Sequence, residues 1–446
     1  MFWIEPETLY VEGELHHGLA VLVSGTDGEG RILEVAPRRD DDLPVESLPR
    51  CTLLPGFVNA HSHAFQRALR GWAQHSASED SFWSWRERMY TLANRLDPEA
   101  LAAVSALAFA EMLRAGFTSV GEFHYLHHQA DGTPYDDPDE LAKRVLDAAG
   151  RVGLRAVLLR VAYARAGAGV EPNPHQARFL DANPQAVLEA AARLAASGAR
   201  VGLAPHSVRA VPADWLRELS SFTGVIHAHV DEQPEEIRQS RAEYGRAPLE
   251  VFADAGLLRP SFTAVHLTHP DDAELTLLHK SGARVCACPT TELDLGDGFF
   301  PAWKVNAPVC IGSDSHAAID PFAELRALEW HSRAVLGRRN VLRHDGDDGL
   351  AARLIDSGTV VGADALGIPA GRIAAGNLAD LVAIDSSRME FALGRPLPSL
   401  VFNGSPAAVQ DVWVGGRHVV REGRLPGGEA LAREAERALR RIAAHA

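Results

Sequence analysis

Two histidines one residue apart, His61-Ser62-His63, directly follow an apolar run at residues 53–59. Three further groups stand at or near the ends of later apolar runs: His229, His266 and Asp314. In an extended chain, residues two apart point the same way, so His61 and His63 can face one ion. With His229 and Asp314 they form a borderline-hard set of three imidazoles and one carboxylate. It suits one divalent ion, Zn²⁺ with Fe²⁺ as the alternative, and leaves a position for water. A single His at a strand end is more often structural than ligating, and a chain with 20 His shows some clustering by chance. What singles this set out is its order, H-x-H, His, His, Asp, along successive runs.

The elements that must hold these groups alternate. Strand-like runs at about 53–59, 117–123, 154–161, 200–206, 225–230, 263–268, 283–288 and 309–314 are separated by helical patterns near 97–115, 138–149, 184–197, 234–255 and 271–281, with another after Asp320. Eight βα units predict a closed parallel (β/α)8 TIM-like barrel, an α/β fold whose active groups lie at the C-terminal ends of the strands. Asp97-Pro98 and Asn183-Pro184 each set a capping side chain before a proline suited to the first helical turn. Leu101, Val104, Leu107 and Ala108 form the stripe expected of an outer helix facing its sheet. His61 and His63 would follow strand one, His229 end strand five, His266 lie near the end of strand six and Asp314 end strand eight.

Both ends of the chain have a different texture. Residues 1–50 read as short strands and turns, VLVSG and RILEVAP among them, and 371–425 revert to LADLVAID and QDVWVGGRHVVREG with a Gly415-Gly416 hairpin turn. The expected organisation is a small β domain built from 1–50 and 371–425, a barrel over 51–370, and a C-terminal helix over 426–446.

A formal charge of −15 disfavours nucleic acid, which draws on clustered cations. No apolar stretch approaches a membrane span and the N-terminus lacks a signal-like core, so no membrane partner is expected and the location is read as cytoplasmic. Cys51, Cys286, Cys288 and Cys310 all lie in strand-like runs; Cys286-x-Cys288 could suggest a metal site, but buried strand positions are the preferred reading.

Pro55-Gly56-Phe57-Val58-Asn59-Ala60-His61-Ser62-His63 resembles the signature of the amidohydrolase superfamily, and the similarity runs on through His229, His266 and Asp314 and over both terminal β segments. The resemblance implies metal-activated hydroxide attacking a C=O or C=N carbon. Binuclear members bridge two ions with a carboxylated lysine ending strand four. Here Lys143 falls in a predicted helix, and Lys280 and Lys304 come too late in the chain, so one ion is expected. Glu232, in HVDEQ, matches the H-x-x-E of deaminase-type members, where the glutamate shuttles a proton to the departing nitrogen. Asp314 would accept the proton of the attacking water, and His266 would hold that water.

HSHAFQRALRG, EFHYLHH, PHSVRAV, HAHVDEQ and CPTTELDLGDG resemble the formimidoylglutamate deiminase branch, which hydrolyses N-formimino-L-glutamate to N-formyl-L-glutamate and ammonia in histidine degradation. A small dicarboxylate substrate needs cationic and hydrogen-bonding partners in a partly desolvated pocket. Gln66, Tyr125, His206 and Arg209 match substrate-binding positions of that branch, and Arg86, in FWSWRERMY, could reach over the site. The loop TTELDLGDG departs from the expected pattern and is left out of the site. His124, His127, His128, Trp83 and Trp85 receive no role, and His227 is read as pointing away from the metal. A homodimer is suggested by resemblance alone. Alternatives are a deaminase of guanine, cytosine or another heterocycle, an imidazolonepropionase, and a non-catalytic scaffold on the same fold, a class that loses the metal ligands present here.

Overall fold

The computed structural model describes residues 1–75, 81–167, 169–170, 172–343 and 348–444. Eight parallel strands follow one another in sequence order around a barrel: Phe57–Ser62, Phe117–His124, Arg155–Ala162, Val201–Pro205, Ile226–Val230, Phe262–His266, Arg284–Ala287 and Val309–Ile311. The seam between the first and last strands is narrow. It is closed by a parallel bridge between Ser62 and Asp314, in which the His63 N–H donates to the Asp314 carbonyl (3.1 Å) and the Asp314 N–H to the His61 carbonyl (3.0 Å). The approach needs Gly312, since a Cβ there would stand 2.8 Å from the Cβ of His61 and 3.0 Å from the Sγ of Cys288.

The second sheet joins both termini. Its strands run in the order Arg417–Val420, Val409–Val414, Leu381–Asp385, Val45–Pro55, Phe2–Val11, Ala20–Val23 and Ile32–Ala36, and Glu14–His17 pairs with the Phe2–Val11 strand. Gly415 and Gly416 take φ of 49° and 72° in the hairpin turn, as a two-residue primed turn requires. Arg155, in the third barrel strand, ties the sheets together. It donates to both Asp380 oxygens at 3.0 Å and to Glu29 at 2.9 Å, with 2% of its side chain exposed.

Four sequence expectations change. The run at 53–59 is two strands: Leu53 to Pro55 belong to the terminal sheet, and the barrel strand begins at Phe57, so His61 lies within it rather than after it. The eighth strand stops at Ile311, so Asp314 sits three residues beyond it, held by the seam bridge. The helix expected over 234–255 is two helices, Pro234–Tyr244 and Pro248–Asp254; Gly245 ends the first in the left-handed region and Pro248 opens the second. The helix Pro98–Arg114 begins as expected, with Asp97 accepting from the Ala100 N–H, but Leu107 is half-buried while Ala103, Ser105 and Phe109 are buried. The C-terminal helix Gly428–Ala444 covers its outer side, so burial extends beyond one stripe. No helix among the described residues is long and apolar enough to cross a membrane.

Candidate active site

His61, His63, His229 and Asp314 converge at the C-terminal mouth of the barrel, all buried, with one ligand-type atom from each lying within 4.8 Å of the others. The backbone sets the rings. His63 Nδ1 donates to the Phe123 carbonyl and His229 Nδ1 to the His206 carbonyl, each at 3.0 Å, which leaves both Nε2 atoms as bare lone pairs turned inwards. His229 Nε2 then faces His61 Nε2 at 3.3 Å, and Asp314 Oδ1 stands 3.1 Å from both His61 Nε2 and His63 Nε2. Burial holds His61 down to about 3 and His229 well below its ordinary value, so both rings are neutral. Asp314 stays ionised: burial opposes its charge, but the closeness of the His61 and His63 rings holds it well below the usual carboxylate range. Electron pairs this close with so few protons among them fit a divalent cation of the zinc type.

The mouth is built on unusual backbone. Asp231, His266, Leu267, Asp314 and His316 all take positive φ, between 42° and 72°, at or just beyond the ends of barrel strands five, six and eight. Strain of this kind gathers where a site over-determines its side chains. His266 closes the sixth strand, its Nε2 3.7 Å from Glu232 and its Nδ1 3.5 Å from Glu292. Burial disfavours its charged form, but Glu232, Glu292 and Asp314 outweigh that and bring it up to about 10.

The cavity above this cluster is lined by Gln66, Arg86, Tyr125, His206, Arg209 and Glu232, together with His63, His229 and Asp314. Gln66 Nε2 donates to the Tyr125 hydroxyl at 2.9 Å. Arg86 lies over the Trp83 ring, 4.6 Å from its centroid, and its Nε is buried without a hydrogen-bond partner among the described residues. Arg209 is not free: Nη2 donates to Glu232 Oε2 at 3.0 Å and Nε stands 3.4 Å from Glu236.

Several lining groups escaped the sequence reading. The TTELDLGDG loop, left out of the site, supplies Leu295 to the cavity and Glu292 to His266. Tyr90, the last residue of FWSWRERMY, and Tyr163, which share Gln176 and stand 3.3 Å apart at their hydroxyls, line the cavity although neither is among the expected site residues. Trp85 lines it too, whereas Trp83 stands behind Arg86. His227 turns outward to the Ala365 carbonyl at 2.9 Å, His127 bonds the Val161 carbonyl at 3.1 Å and His128 the Leu180 carbonyl at 3.0 Å. All four cysteines are free and buried.

A model of the amidohydrolase family matches residues 52–419, and the chain belongs to that family. It is therefore an enzyme, a metal-dependent hydrolase acting on carbon–nitrogen bonds. The chain is 40% identical over 396 residues to formimidoylglutamate deiminase from Pseudomonas aeruginosa, covering 85% of this chain and 87% of that one. The fold matches the crystal structure of an amidohydrolase from Brucella melitensis with a TM-score of 0.89 and 34% identity, over 99% of this chain and 100% of the other. An adenosine deaminase from Xanthomonas campestris, solved with bound zinc, matches with a TM-score of 0.83 and 26% identity over 99% and 98% of the two chains.

Proposed function

We propose that the chain hydrolyses N-formimino-L-glutamate to N-formyl-L-glutamate and ammonia, as a step in histidine degradation. The observation that carries this reading is the place of Glu232. It lies in a cavity floored by the ligand cluster, with Oε2 on Arg209 and Oε1 facing His266 Nε2. A proton carrier thus joins the groups that would activate water to a cation that can meet a carboxylate.

His61, His63, His229 and Asp314 would hold one zinc-type ion, which when bound supplies the Lewis acidity that brings a water's pKa towards about 7. His266 Nε2 orients the attacking water, and Asp314 accepts its first proton. Glu232 relays the protons released by water to the departing nitrogen: the formimino carbon gains a C–O bond, its C–N bond to the terminal nitrogen breaks, and that nitrogen takes both protons of the attacking water and leaves as ammonia, so that no proton stays on Asp314 or Glu232. Arg209 and Arg86 take the two carboxylates, with Gln66, Tyr125 and His206 as hydrogen-bonding partners on the cavity wall.

The identity to the Pseudomonas deiminase supports this substrate, and the paired guanidinium groups favour a dicarboxylate over a neutral base. The test is ammonia release by zinc-loaded protein from N-formimino-L-glutamate beside guanine, cytosine, adenosine and N-formyl-L-glutamate. Release from the formimino compound alone is expected. Turnover of a heterocycle instead would keep the hydrolytic site and overturn the dicarboxylate pocket.

A further inference from the structure

Directly behind the ring of His266 lies a second group of donors. His266, Cys288 and Glu292 each place one ligand-type atom within 4.8 Å of the others, and all three residues are fully buried. The face of His266 turned towards Glu292 is Nδ1, whereas Nε2 faces Glu232. Both ring nitrogens and Glu292 Oε2 lack a hydrogen-bond partner among the described residues, and Cys288 is in no disulfide. Glu292 Oε1 is held by the Cys288 N–H at 2.8 Å, which pins the carboxylate beside the thiol at the first turn of the helix Pro289–Leu295.

We propose that His266 Nδ1, Cys288 Sγ and the Glu292 carboxylate form a second cation site, selective for a thiophilic divalent ion such as Cd²⁺, and that its occupation inhibits the enzyme through His266. One imidazole, one thiolate and one carboxylate make a softer set than the three imidazoles and a carboxylate in front of it, so the two sites differ in metal preference. Bonds of about 2.0–2.3 Å, the zinc values, in a tetrahedral arrangement bring donor atoms to roughly 3.3–3.8 Å apart, a tightening of about 1.5 Å at most, and the longer bonds of a larger ion ask for less. Binding releases the thiol proton and any proton on Nδ1 to solvent. An ion on Nδ1 fixes the ring and changes what Nε2 can offer to water, while the front site remains filled.

The test is a Cd²⁺ titration of zinc-loaded protein after long incubation, since all three donors are buried. A second equivalent should bind with the ultraviolet thiolate-to-cadmium charge-transfer band, which the thiol-free front site cannot give, and hydrolysis should fall in step with that band. Cys288→Ser should lose the band, weaken the second equivalent at least about tenfold and resist inhibition, while Cys310→Ser should behave as wild type. Glu292→Gln keeps an acceptor for the Cys288 N–H and should weaken the same band, which covers the case of a Cys288 variant that fails to fold. Binding of a second equivalent with no thiolate band, binding of one equivalent only, or a band that survives in Cys288→Ser and disappears in Cys310→Ser would overturn the proposal.

Discussion

Arg209 donates from Nη2 to Glu232 Oε2 over 3.0 Å, so the cation proposed to meet a substrate carboxylate is bonded to the carboxylate proposed to move protons. Burial disfavours the guanidinium's charge, and Glu236 together with Glu232 restores it. Substrate capture and proton delivery therefore share a hydrogen bond. Arg209→Met is expected to lower kcat/KM by about 1.5–3 kcal/mol and, unlike loss of a plain binding contact, to lower kcat as well as raise KM. Steady-state rates on N-formimino-L-glutamate check this; a raised KM with unchanged kcat would confine Arg209 to capture.

Glu236 carries a pH signature. Burial, helped by the charge of Glu232, lifts its pKa from 4.5 to about 7 against the pull of Arg209. A carboxyl raised on folding keeps in the folded state a proton that the unfolded chain loses. Its contribution is therefore complete below pH ~4.5 and is lost as pH rises through about 7. The span corresponds to no more than roughly 3 kcal/mol. Glu236→Gln, which cannot titrate, is expected to flatten that part of the stability profile. Urea midpoints of zinc-loaded wild type and variant between pH 4.5 and 8 are the measurement, and identical slopes would remove Glu236 as the source.

Purified wild type is expected to carry about one zinc-type ion per chain, and His229→Ala none. His229 supplies one of the four clustered donor atoms and its ring is locked through Nδ1 to the His206 carbonyl, so its loss removes both a donor and its fixed aim. Elemental analysis after dialysis decides the matter; two tightly held ions in protein kept free of added metal would contradict a single front site.

Arg155→Met should destabilise the fold by about 3–5 kcal/mol, because it leaves Asp380 buried without its cation. Gly415 N–H and Ser119 Oγ also donate to Asp380, so the loss is expected to loosen the hairpin Val409–Val420 against the barrel. Hydrogen exchange of Val409–Val414 beside the barrel strands would show it, and uniform protection in the variant would contradict it.

The four clustered donors could be read from the sequence because each stands near the C-terminal end of a barrel strand, where barrel topology gives position a meaning that residue type alone lacks. His266 stands out for the same reason, but the carboxylate at its back does not: Glu292 lies in the first turn of a seven-residue helix, in a loop whose sequence departs from the expected pattern. Glu236 reads as an ordinary acid in a first helical turn, and only the tertiary fold turns it inward beneath Arg209. Gly245 and Pro248 did announce the broken helix, and Gly56 the change of sheet, yet apolar periodicity ran across both and obscured them. The positive φ of Asp231, His266 and Asp314 had no sequence signal, since Asp and His enter that region more readily than other non-glycine residues but still only occasionally.

The barrel seam has a consequence for biosynthesis. His61 and Asp314 lie 253 residues apart, yet their backbones exchange the contact that joins the first strand to the last. On the ribosome, the emerging chain offers His61 and His63 early and His229 midway, but the carboxylate only when the eighth strand has been made. An ion met before then finds three imidazoles on an open sheet. Complete loading and ring closure thus coincide, so any chain that terminates before Asp314 lacks both the full donor set and the contact that closes its barrel.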